Sequence, residues 1–182
     1  MAALELGGKA IDFSLLATDG KTYSLDQFAE YAVLGVIFSC NHCPYVQAWE
    51  ERMVKIQSDY EARGVQLIAI NANDAEKYPS DNFEAMKLRA QERGFNFPYL
   101  HDESQATASA YGAERTPEVY LFDADRRLRY HGAIDDNYDD PAAVEFAYLR
   151  GAIDALLAGD EPGTPYTQPV GCTIKWKQTV KE

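Results

Sequence analysis

Two cysteines lie three positions apart in the segment Cys40-Asn41-His42-Cys43, directly after an almost unbroken apolar run. Pro44 suits the first turn of a helix, so we predict that the pair sits where a strand passes into a helix. Unpaired amide N–H groups at a helix start stabilise negative charge, and a cysteine placed there has a lowered pKa. The pair therefore predicts thiol–disulfide chemistry, because a thiolate attacks disulfides and a second sulfur lies within one helical turn.

We expect Cys40, at the exposed end of the pair, to be the attacking thiolate and Cys43 to resolve the mixed disulfide. His42 lies between them and is expected to place a positive or hydrogen-bonding group near Cys40; the alternative is an exposed polar helix residue. The pair itself has three other interpretations, which are two buried small hydrophobic residues, a static disulfide and a zinc site. A closed zinc site usually needs four ligands. The chain has no second cysteine pair with ligand spacing, so we expect no metal and no other cofactor.

The elements that must position the pair alternate between strands and helices. Strands are predicted at 11–16, 22–24, 32–38, 65–70, 117–122 and 128–131, and helices at 25–30, 44–63, 83–93, 104–111 and 140–157. The apolar run 32–38 is typical of a strand buried on both faces, and Asp19-Gly20 predicts a hairpin turn. Asp140 and Pro141 predict the start of the last helix. This order predicts an α/β domain with helices on both faces of a mixed sheet.

One domain is expected from 182 residues of ordinary globular composition, with 46% hydrophobic and 25% charged residues. We place this domain at 1–159 and an extended C-terminal tail at 160–182. The tail boundary rests on the segment 160–171, which holds three prolines and two glycines and few large apolar residues. The more apolar stretch from Cys172 to Trp176 is expected to pack on the domain.

The net charge of −12 makes nucleic acids and anionic membranes poor partners, because both are polyanionic. No apolar run approaches the ~20 residues of a membrane helix. The first residues, Met1 to Gly8, lack the basic start and apolar stretch of a secretory signal. The expected location is therefore the cytoplasm, where three cysteines favour redox chemistry or a metal over structural crosslinks.

Two segments of the chain resemble the thioredoxin-fold superfamily. One runs from Val36 to Pro44 and contains the cysteine pair; the other, from Arg115 to Asp123, resembles the cis-proline strand of the family. The resemblance extends from about Gly8 to Leu157. It implies a thioredoxin-like fold in which Pro117 is cis and Thr116 lies beside the pair, although an ordinary trans proline opening a strand is the alternative. Because Pro117 has no N–H, Thr116 is left free to pair with an incoming substrate chain.

An N-terminal hairpin and a mid-chain insertion at 71–100 resemble the redoxin branch, which holds the AhpC/TSA peroxiredoxins and the TlpA/ResA-like thiol oxidoreductases. Within it, Cys-Asn-His-Cys-Pro-Tyr-Val and a terminal Gly-Cys-Thr-Ile-Lys-Trp are similar to a group of bacterial thioredoxin-like proteins. Leu34 stands where thioredoxin carries a buried Asp, so the usual proton acceptor of the resolving thiol is either missing or replaced by an unidentified group. Peroxiredoxins carry Thr or Ser three residues before their reactive Cys, and here that residue is Ile37 before Cys40, or Cys40 before Cys43.

The resemblance implies a thiol–disulfide oxidoreductase that acts on protein or small-molecule disulfides through the Cys40–Cys43 couple, with a thiol reductant as its other partner. One alternative is a peroxiredoxin-like, antioxidant thiol peroxidase. Another is a non-catalytic redoxin-fold binding module, in which Arg115 and Glu118 shape a docking groove near Pro117.

Cys172, in the tail, has three interpretations. It is a third redox cysteine carried to the Cys40–Cys43 site, the source of an intermolecular disulfide, or a buried anchor beside Ile174 and Trp176. The apolar neighbours favour the anchor, since a buried free cysteine behaves as a small hydrophobic residue.

Overall fold

The structure is a computed structural model, and it describes residues 3–179 of the chain. Its strands are β1 (Ser14–Ala17), β2 (Thr22–Ser24), β3 (Val33–Ser39), β4 (Val65–Asn71), β5 (Tyr99–His101), β6 (Arg115–Thr116), β7 (Glu118–Phe122), β8 (Leu128–Gly132) and β9 (Cys172–Thr173). Its α-helices are α1 (Pro44–Tyr60), α2 (Phe83–Glu92), α3 (Ala106–Tyr111) and α4 (Tyr148–Leu157). None of these helices has both the length and the apolar character that a membrane span requires.

Seven of the strands form one mixed sheet in the order β2-β1-β5-β4-β3-β7-β8. The neighbours β3, β4 and β5 run parallel, whereas β7 lies antiparallel to both β3 and β8. The strands β1 and β2 form the predicted N-terminal hairpin, and β6 pairs with β9 in a separate two-stranded sheet. The mixed sheet with its flanking helices confirms the predicted fold class.

The central strand β3 is buried along its whole length because both faces of the sheet are covered. Successive side chains of a strand point to opposite faces. Ile37 accordingly packs in one core cluster with Trp49 of α1. The next residue, Phe38, packs on the other face against Tyr111 of α3, with ring centroids 5.5 Å apart.

Helix α1 begins where the sequence predicts, with Pro44 in its first turn. Its α-helical hydrogen bonds end at Tyr60, and one 3₁₀ turn, Glu61–Arg63, completes the predicted range. Gly64 then adopts φ +80°, a left-handed conformation that glycine enters without a steric penalty. The chain passes from there directly into β4, which brings the carboxyl end of β4 beside that of β3.

The predicted helix 140–157 is wrong in its first half. Asp140 does cap a helical turn, since its side chain accepts a hydrogen bond from the N–H of Ala142, but that turn is a short 3₁₀ helix, Pro141–Ala143. Asp136 then accepts a hydrogen bond from the N–H of Glu145, which holds the chain in a loop until α4 begins. Side chain to backbone bonding of this kind competes with helix formation.

The strand β5 has no counterpart among the predicted elements, because three residues are too few to show a period. It lies between β1 and β4 and so joins the N-terminal hairpin to the central strands.

Residues 160–179 of the tail lie along the domain and contain β9. On one side, the backbone of Thr167 donates to the carbonyl of His131 at 3.0 Å. On the other, Ile174 is buried within the core cluster around Phe38. The domain boundary at 159 stays a prediction. The first positions of the predicted domain, 1–2, and the last positions of the predicted tail, 180–182, lie outside the described residues.

Candidate active site

The cysteine pair occupies the short loop between β3 and α1. Cys40 follows the last residue of β3, and Cys43 precedes Pro44, the first residue of α1. Both side chains are buried, with exposures of 2% for Cys40 and 0% for Cys43, and they pack with Val46 in one small cluster. None of the three cysteines forms a disulfide in this structure.

The residue at the helix start is Cys43, which differs from the sequence expectation that gave this place to Cys40. The thiol of Cys40 lowers the pKa of Cys43 to about 4; burial opposes this shift, and Cys172 and the backbone N–H of Val46 add to it. That N–H faces the sulfur without closing a regular cap hydrogen bond. These neighbours favour negative charge on the Cys43 sulfur.

Cys40 keeps its proton for complementary reasons. The Cys43 sulfur, burial and the charge of Asp81 hold the pKa of Cys40 well above its usual range, and the hydroxyl of Thr116 opposes them. Within the reduced pair, these shifts favour the thiolate at Cys43 and the thiol at Cys40.

The Thr116–Pro117 peptide bond is cis, and Thr116 lies beside both sulfurs. Its Oγ1 is 3.4 Å from Cys40 Sγ. Its carbonyl oxygen is 3.4 Å from Cys43 Sγ and accepts from that thiol when it is protonated. Strand β6 thus gives each cysteine one polar neighbour.

Asp81 is a buried carboxylate at the site that the sequence analysis missed. It lies in a 3₁₀ turn, Pro79–Asp81, within the mid-chain insertion. One of its oxygens accepts from the backbone N–H of Asn41 at 2.6 Å, and the other is hydrogen-bonded to Nδ1 of His42. The insertion therefore reaches back to the Cys40–Cys43 loop and fixes its two middle residues.

His42 and Asp81 form a carboxylate–imidazole pair next to Cys40. One ring nitrogen of His42, one carboxylate oxygen of Asp81 and the Cys40 sulfur all lie within 4.8 Å of one another. The ring of His42 also stacks on Tyr78, with centroids 5.8 Å apart and planes at 9°. This pair is placed to exchange a proton with the Cys40 thiol.

Within residues 3–179, Cys40, His42 and Asp81 are also the one group with the composition of a metal site. Asp81 is poorly suited to a metal, because four donors already occupy its two oxygens. Besides Asn41 and His42, the side-chain amides of Asn71 and Asn73 each donate to it at 3.1 Å. The arrangement fits a proton-transfer pair better than a cation site.

The polar residues after β4 were the signal that could have located Asp81. Asn71 is the parallel register partner of Ser39, so the ends of β3 and β4 meet at one edge of the sheet. Polar side chains beyond two such ends commonly converge on a site.

Glu118 and Arg115, which the sequence placed near a docking groove, have structural contacts here. Glu118 is buried, and one of its oxygens accepts from the backbone N–H groups of Glu114 and Arg115 at 2.8 and 2.9 Å. Burial raises the pKa of Glu118. The hydrogen bonds from His131 and from those two N–H groups lower it by more than burial raises it, so that the pKa of Glu118 is below its usual range. Glu118 thereby holds β6 in place beside the cysteines.

Cys172 lies at the same site, since its side chain packs against the Cys40–Cys43–Val46 cluster. Unlike the other two cysteines it is partly exposed. Cys172 itself has a pKa raised to about 11, by burial first and then by the neighbouring Cys43 sulfur. The structure therefore brings together Cys40, Cys43, His42, Thr116, Pro117 and Cys172.

Comparisons with known proteins place the chain among redox proteins. Residues 6–131 match the AhpC/TSA family. A hypothetical protein from Sinorhizobium meliloti 1021 has a solved structure with 39% identity and a TM-score of 0.92, covering 98% of both chains. The structure of a putative thiol:disulfide interchange protein DsbE from Chlorobium tepidum has 26% identity and a TM-score of 0.68, over 85% of this chain and 99% of that one.

A curated relative is the thiol-disulfide oxidoreductase ResA of Halalkalibacterium halodurans. It is 26% identical over 128 residues, which are 70% of this chain and 65% of ResA. The chain thus matches slightly less than two thirds of the length of that relative.

Proposed function

The chain belongs to the AhpC/TSA family, and we propose that within it the protein is a thiol–disulfide oxidoreductase whose redox couple is Cys40 and Cys43. The observation that carries this proposal is the geometry of the pair. Cys40 and Cys43 pack together between β3 and α1, and Thr116, which precedes the cis peptide bond to Pro117, has one oxygen 3.4 Å from each sulfur. Two neighbouring thiols of which one has a lowered pKa can form and break disulfides.

The reaction consists of two exchanges. The thiolate of the pair attacks one sulfur of a substrate disulfide, so that a mixed disulfide forms and the first substrate sulfur leaves as a thiolate. The second cysteine of the pair then loses its proton, and its sulfur attacks the sulfur of the first cysteine in the mixed disulfide. The Cys40–Cys43 bond forms, the second substrate sulfur leaves, and two electrons have passed from the pair to the substrate.

His42 and Asp81 handle the proton of Cys40 in this scheme. Cys40 is held as a thiol, so it must lose its proton before its sulfur can form a bond. The ring of His42 is the nearby base, and Asp81 holds Nδ1 of that ring. Carboxylates that orient a histidine and stabilise its charged form assist proton transfer in this way.

The proposed substrates are protein disulfides or small-molecule disulfides, and the proposed reductant is a dithiol. The acidic surface, with a net charge of −12, favours partners that are not polyanionic. Nucleic acids and anionic membranes are therefore not proposed as partners.

Reduction of insulin by dithiothreitol tests the proposal, because insulin precipitates when its interchain disulfides are broken. The wild-type protein is expected to accelerate precipitation, and Cys40→Ser and Cys43→Ser are each expected to abolish the acceleration. Ser39→Ala, a neighbouring substitution that removes no sulfur, is the control and should retain it. A wild-type protein that gives no acceleration, or a Cys43→Ser variant as active as wild type, contradicts the proposal. The first result would favour a binding module.

A thiol peroxidase is the second candidate function, because the hydroxyl of Thr116 lies 3.4 Å from Cys40 Sγ. It supplies from β6 the hydroxyl that the sequence lacks before the pair. The raised pKa of Cys40 argues against this function, since a thiol reacts with peroxide only as its thiolate. Stopped-flow mixing with hydrogen peroxide separates the two functions: slow oxidation supports disulfide exchange, and fast oxidation that Thr116→Val abolishes would support the peroxidase.

A further inference from the structure

The tail strand β9 occupies the backbone edge that an incoming substrate chain would use. Thr116 pairs with Cys172, and Arg115 pairs with Thr173, in an antiparallel ladder. A strand edge forms one ladder at a time, so a second chain cannot pair with Thr116 while β9 is in place. The chain therefore presents its own cysteine to the pair in the manner of a substrate.

The backbone next to Cys172 is fitted to this position. A Cβ on Gly171 would lie 1.9 Å from the carbonyl oxygen of Thr116 and 3.2 Å from the nitrogen of Pro117. No side chain is tolerated there without a shift of the tail or of β6. The guanidinium of Arg115 also donates to the carbonyl of Gly171 at 2.9 Å.

Contacts beyond β9 hold the tail on the domain. The N–H of Ile174 donates to the carbonyl of Glu114 at 2.9 Å, and the N–H of Asp74 donates to the carbonyl of Lys175 at 2.8 Å. On the other side of Cys172, Thr167 Oγ1 accepts from the N–H of Ala133 at 2.9 Å. Because these contacts anchor the tail, the sulfur of Cys172 is not needed as an anchor.

The three sulfurs differ in exposure. Cys40 and Cys43 are buried, whereas Cys172 is partly exposed. Cys43 is the shared neighbour, since both Cys40 and Cys172 lie close enough to lower its pKa. Of the three sulfur-bearing residues, Cys172 is therefore the one that solvent reaches.

From this arrangement we propose that Cys172 is a third redox cysteine, which forms a disulfide with Cys43 and exchanges electrons with substrate at the protein surface. This inference rests on the proposed function, because it needs the Cys40–Cys43 disulfide as its starting point. It adds a second disulfide, Cys43–Cys172, to the Cys40–Cys43 disulfide. It also assigns Cys172 as the sulfur that reacts with the substrate.

The internal step is a disulfide exchange without net oxidation. The Cys172 thiolate attacks Cys43 Sγ of the Cys40–Cys43 disulfide. The Cys43–Cys172 bond forms, the Cys40–Cys43 bond breaks, and Cys40 leaves as a thiolate that takes up the proton lost by Cys172.

The external step passes electrons from substrate thiols. A substrate thiolate attacks Cys172 Sγ, and Cys43 leaves as the stabilised thiolate. A second substrate thiolate then attacks the substrate sulfur of the mixed disulfide, so that a substrate disulfide forms and Cys172 is released as a thiolate. Two electrons have moved from two substrate thiols to Cys43 and Cys172, and each step is reversible. Run in reverse, the same steps carry electrons from the reduced pair through Cys172 to a substrate disulfide, which is the direction of the proposed function.

The test is crosslinking in the Cys40→Ser variant, which keeps only Cys43 and Cys172. The purified protein is treated with oxidised glutathione, quenched by alkylation, digested with trypsin and analysed by mass spectrometry without reduction. Trypsin places Cys43 in the peptide 22–52 and Cys172 in the peptide 151–175. We expect these peptides to be disulfide-linked within one chain, at a rate independent of protein concentration.

Two comparisons make the test specific. Cys43→Ser, which keeps Cys40 and Cys172, should link the same peptides at least about tenfold more slowly, because only Cys43 is held against Cys172. Gly171→Ala in the Cys40→Ser background should also slow linkage by about tenfold, since it displaces β9. Arg115→Ala is a second, milder way to loosen the tail, and circular dichroism verifies that each variant is folded.

Glutathione adducts or crosslinked dimers in the Cys40→Ser variant, without the intramolecular link, would overturn the inference. So would a linkage rate that neither Gly171→Ala nor Arg115→Ala changes. If that link is absent while wild-type protein reduces insulin, the inference fails and the proposed function stands. If the link forms but wild-type protein has no activity on insulin, the proposed function fails.

Discussion

Thr116 and Cys172 are register partners in the small sheet that β6 forms with β9. Thr116 also contacts the Cys40 sulfur through its hydroxyl and the Cys43 sulfur through its carbonyl, both at 3.4 Å. One residue therefore links the redox pair to the tail. Any change in how the tail docks is expected to alter the surroundings of both sulfurs.

The first prediction concerns the charge on Cys43. Because its pKa is lowered to about 4, the ultraviolet absorbance of a thiolate should be present at neutral pH and should disappear as the pH falls through about 4. Cys43→Ser should lack this transition. Cys172→Ala should move its midpoint upwards, because the Cys172 thiol is one of the groups that lower the pKa.

A thiolate signal that appears only in alkaline solution would contradict this assignment. So would a Cys43→Ser variant with an unchanged transition near pH 4, since the charge would then belong to another cysteine.

The second prediction concerns Asp81. Asp81→Asn removes the charge and leaves one acceptor oxygen for the donors at Asn41 and His42. We expect insulin reduction to slow by about tenfold or more, because His42 loses its orienting carboxylate. The pH profile of the rate should also change, since the charge of Asp81 helps to raise the pKa of Cys40.

Asp102→Asn is the matched control for Asp81→Asn. Asp102 is equally buried, but it accepts from the N–H groups of Thr107 and Ala108 in α3. It should reduce stability without changing the rate per folded molecule. Equal kinetics in the two variants would show that Asp81 has only a structural role.

The third prediction concerns the dependence of stability on pH through Glu118. Its pKa in the folded protein lies below the usual value, so the unfolded chain binds a proton more readily as the pH falls. Glu118 therefore contributes stability that is present above its unfolded pKa and lost on acidification. Glu118→Gln should lower the free energy of unfolding at neutral pH by about 1–3 kcal/mol, because the charge and one of the two acceptor oxygens are lost, so that either the two backbone N–H groups or the His131 ring loses its partner.

Urea denaturation of wild type and Glu118→Gln, from neutral pH down to about pH 4, checks this prediction. The difference between the two proteins should shrink as the pH falls. Glu114→Gln, the same chemical change at an exposed neighbour, should follow wild type. A difference that stays constant with pH would mean that Glu118 does not titrate differently in the folded and unfolded states.

The cysteine pair, strand β3 and the start of α1 could be predicted because their signals are local. An apolar run, a Cys-x-x-Cys spacing and a proline lie within a dozen residues of each other. The same local signals do not resolve whether Cys40 or Cys43 is the residue that precedes the helix, and the structure places Cys43 there.

Asp81 and the register of Cys172 depend on long-range contacts that leave no periodic pattern. Asp81 reaches Asn41 because the parallel strands β3 and β4 end at the same edge. Cys172 reaches Thr116 through a tail rich in proline and glycine, whose course depends on the surface beneath it. The helix predicted to begin at Asp140 is wrong in its first half for another reason. The side chain of Asp136 accepts a hydrogen bond from the backbone N–H of Glu145 and so interrupts the helix that the capping signal predicted.

A redox titration of the Cys172→Ala variant tests the Cys40–Cys43 couple most directly. The protein is equilibrated in mixtures of reduced and oxidised glutathione, quenched in acid, alkylated and analysed by mass spectrometry. We predict that, as the glutathione mixture becomes more oxidising, Cys40 and Cys43 become protected from alkylation together, in one reversible transition. The Cys43→Ser variant should show no such transition. If both thiols stay labelled at every ratio, or are lost only as glutathione adducts, Cys40 and Cys43 are not a redox couple.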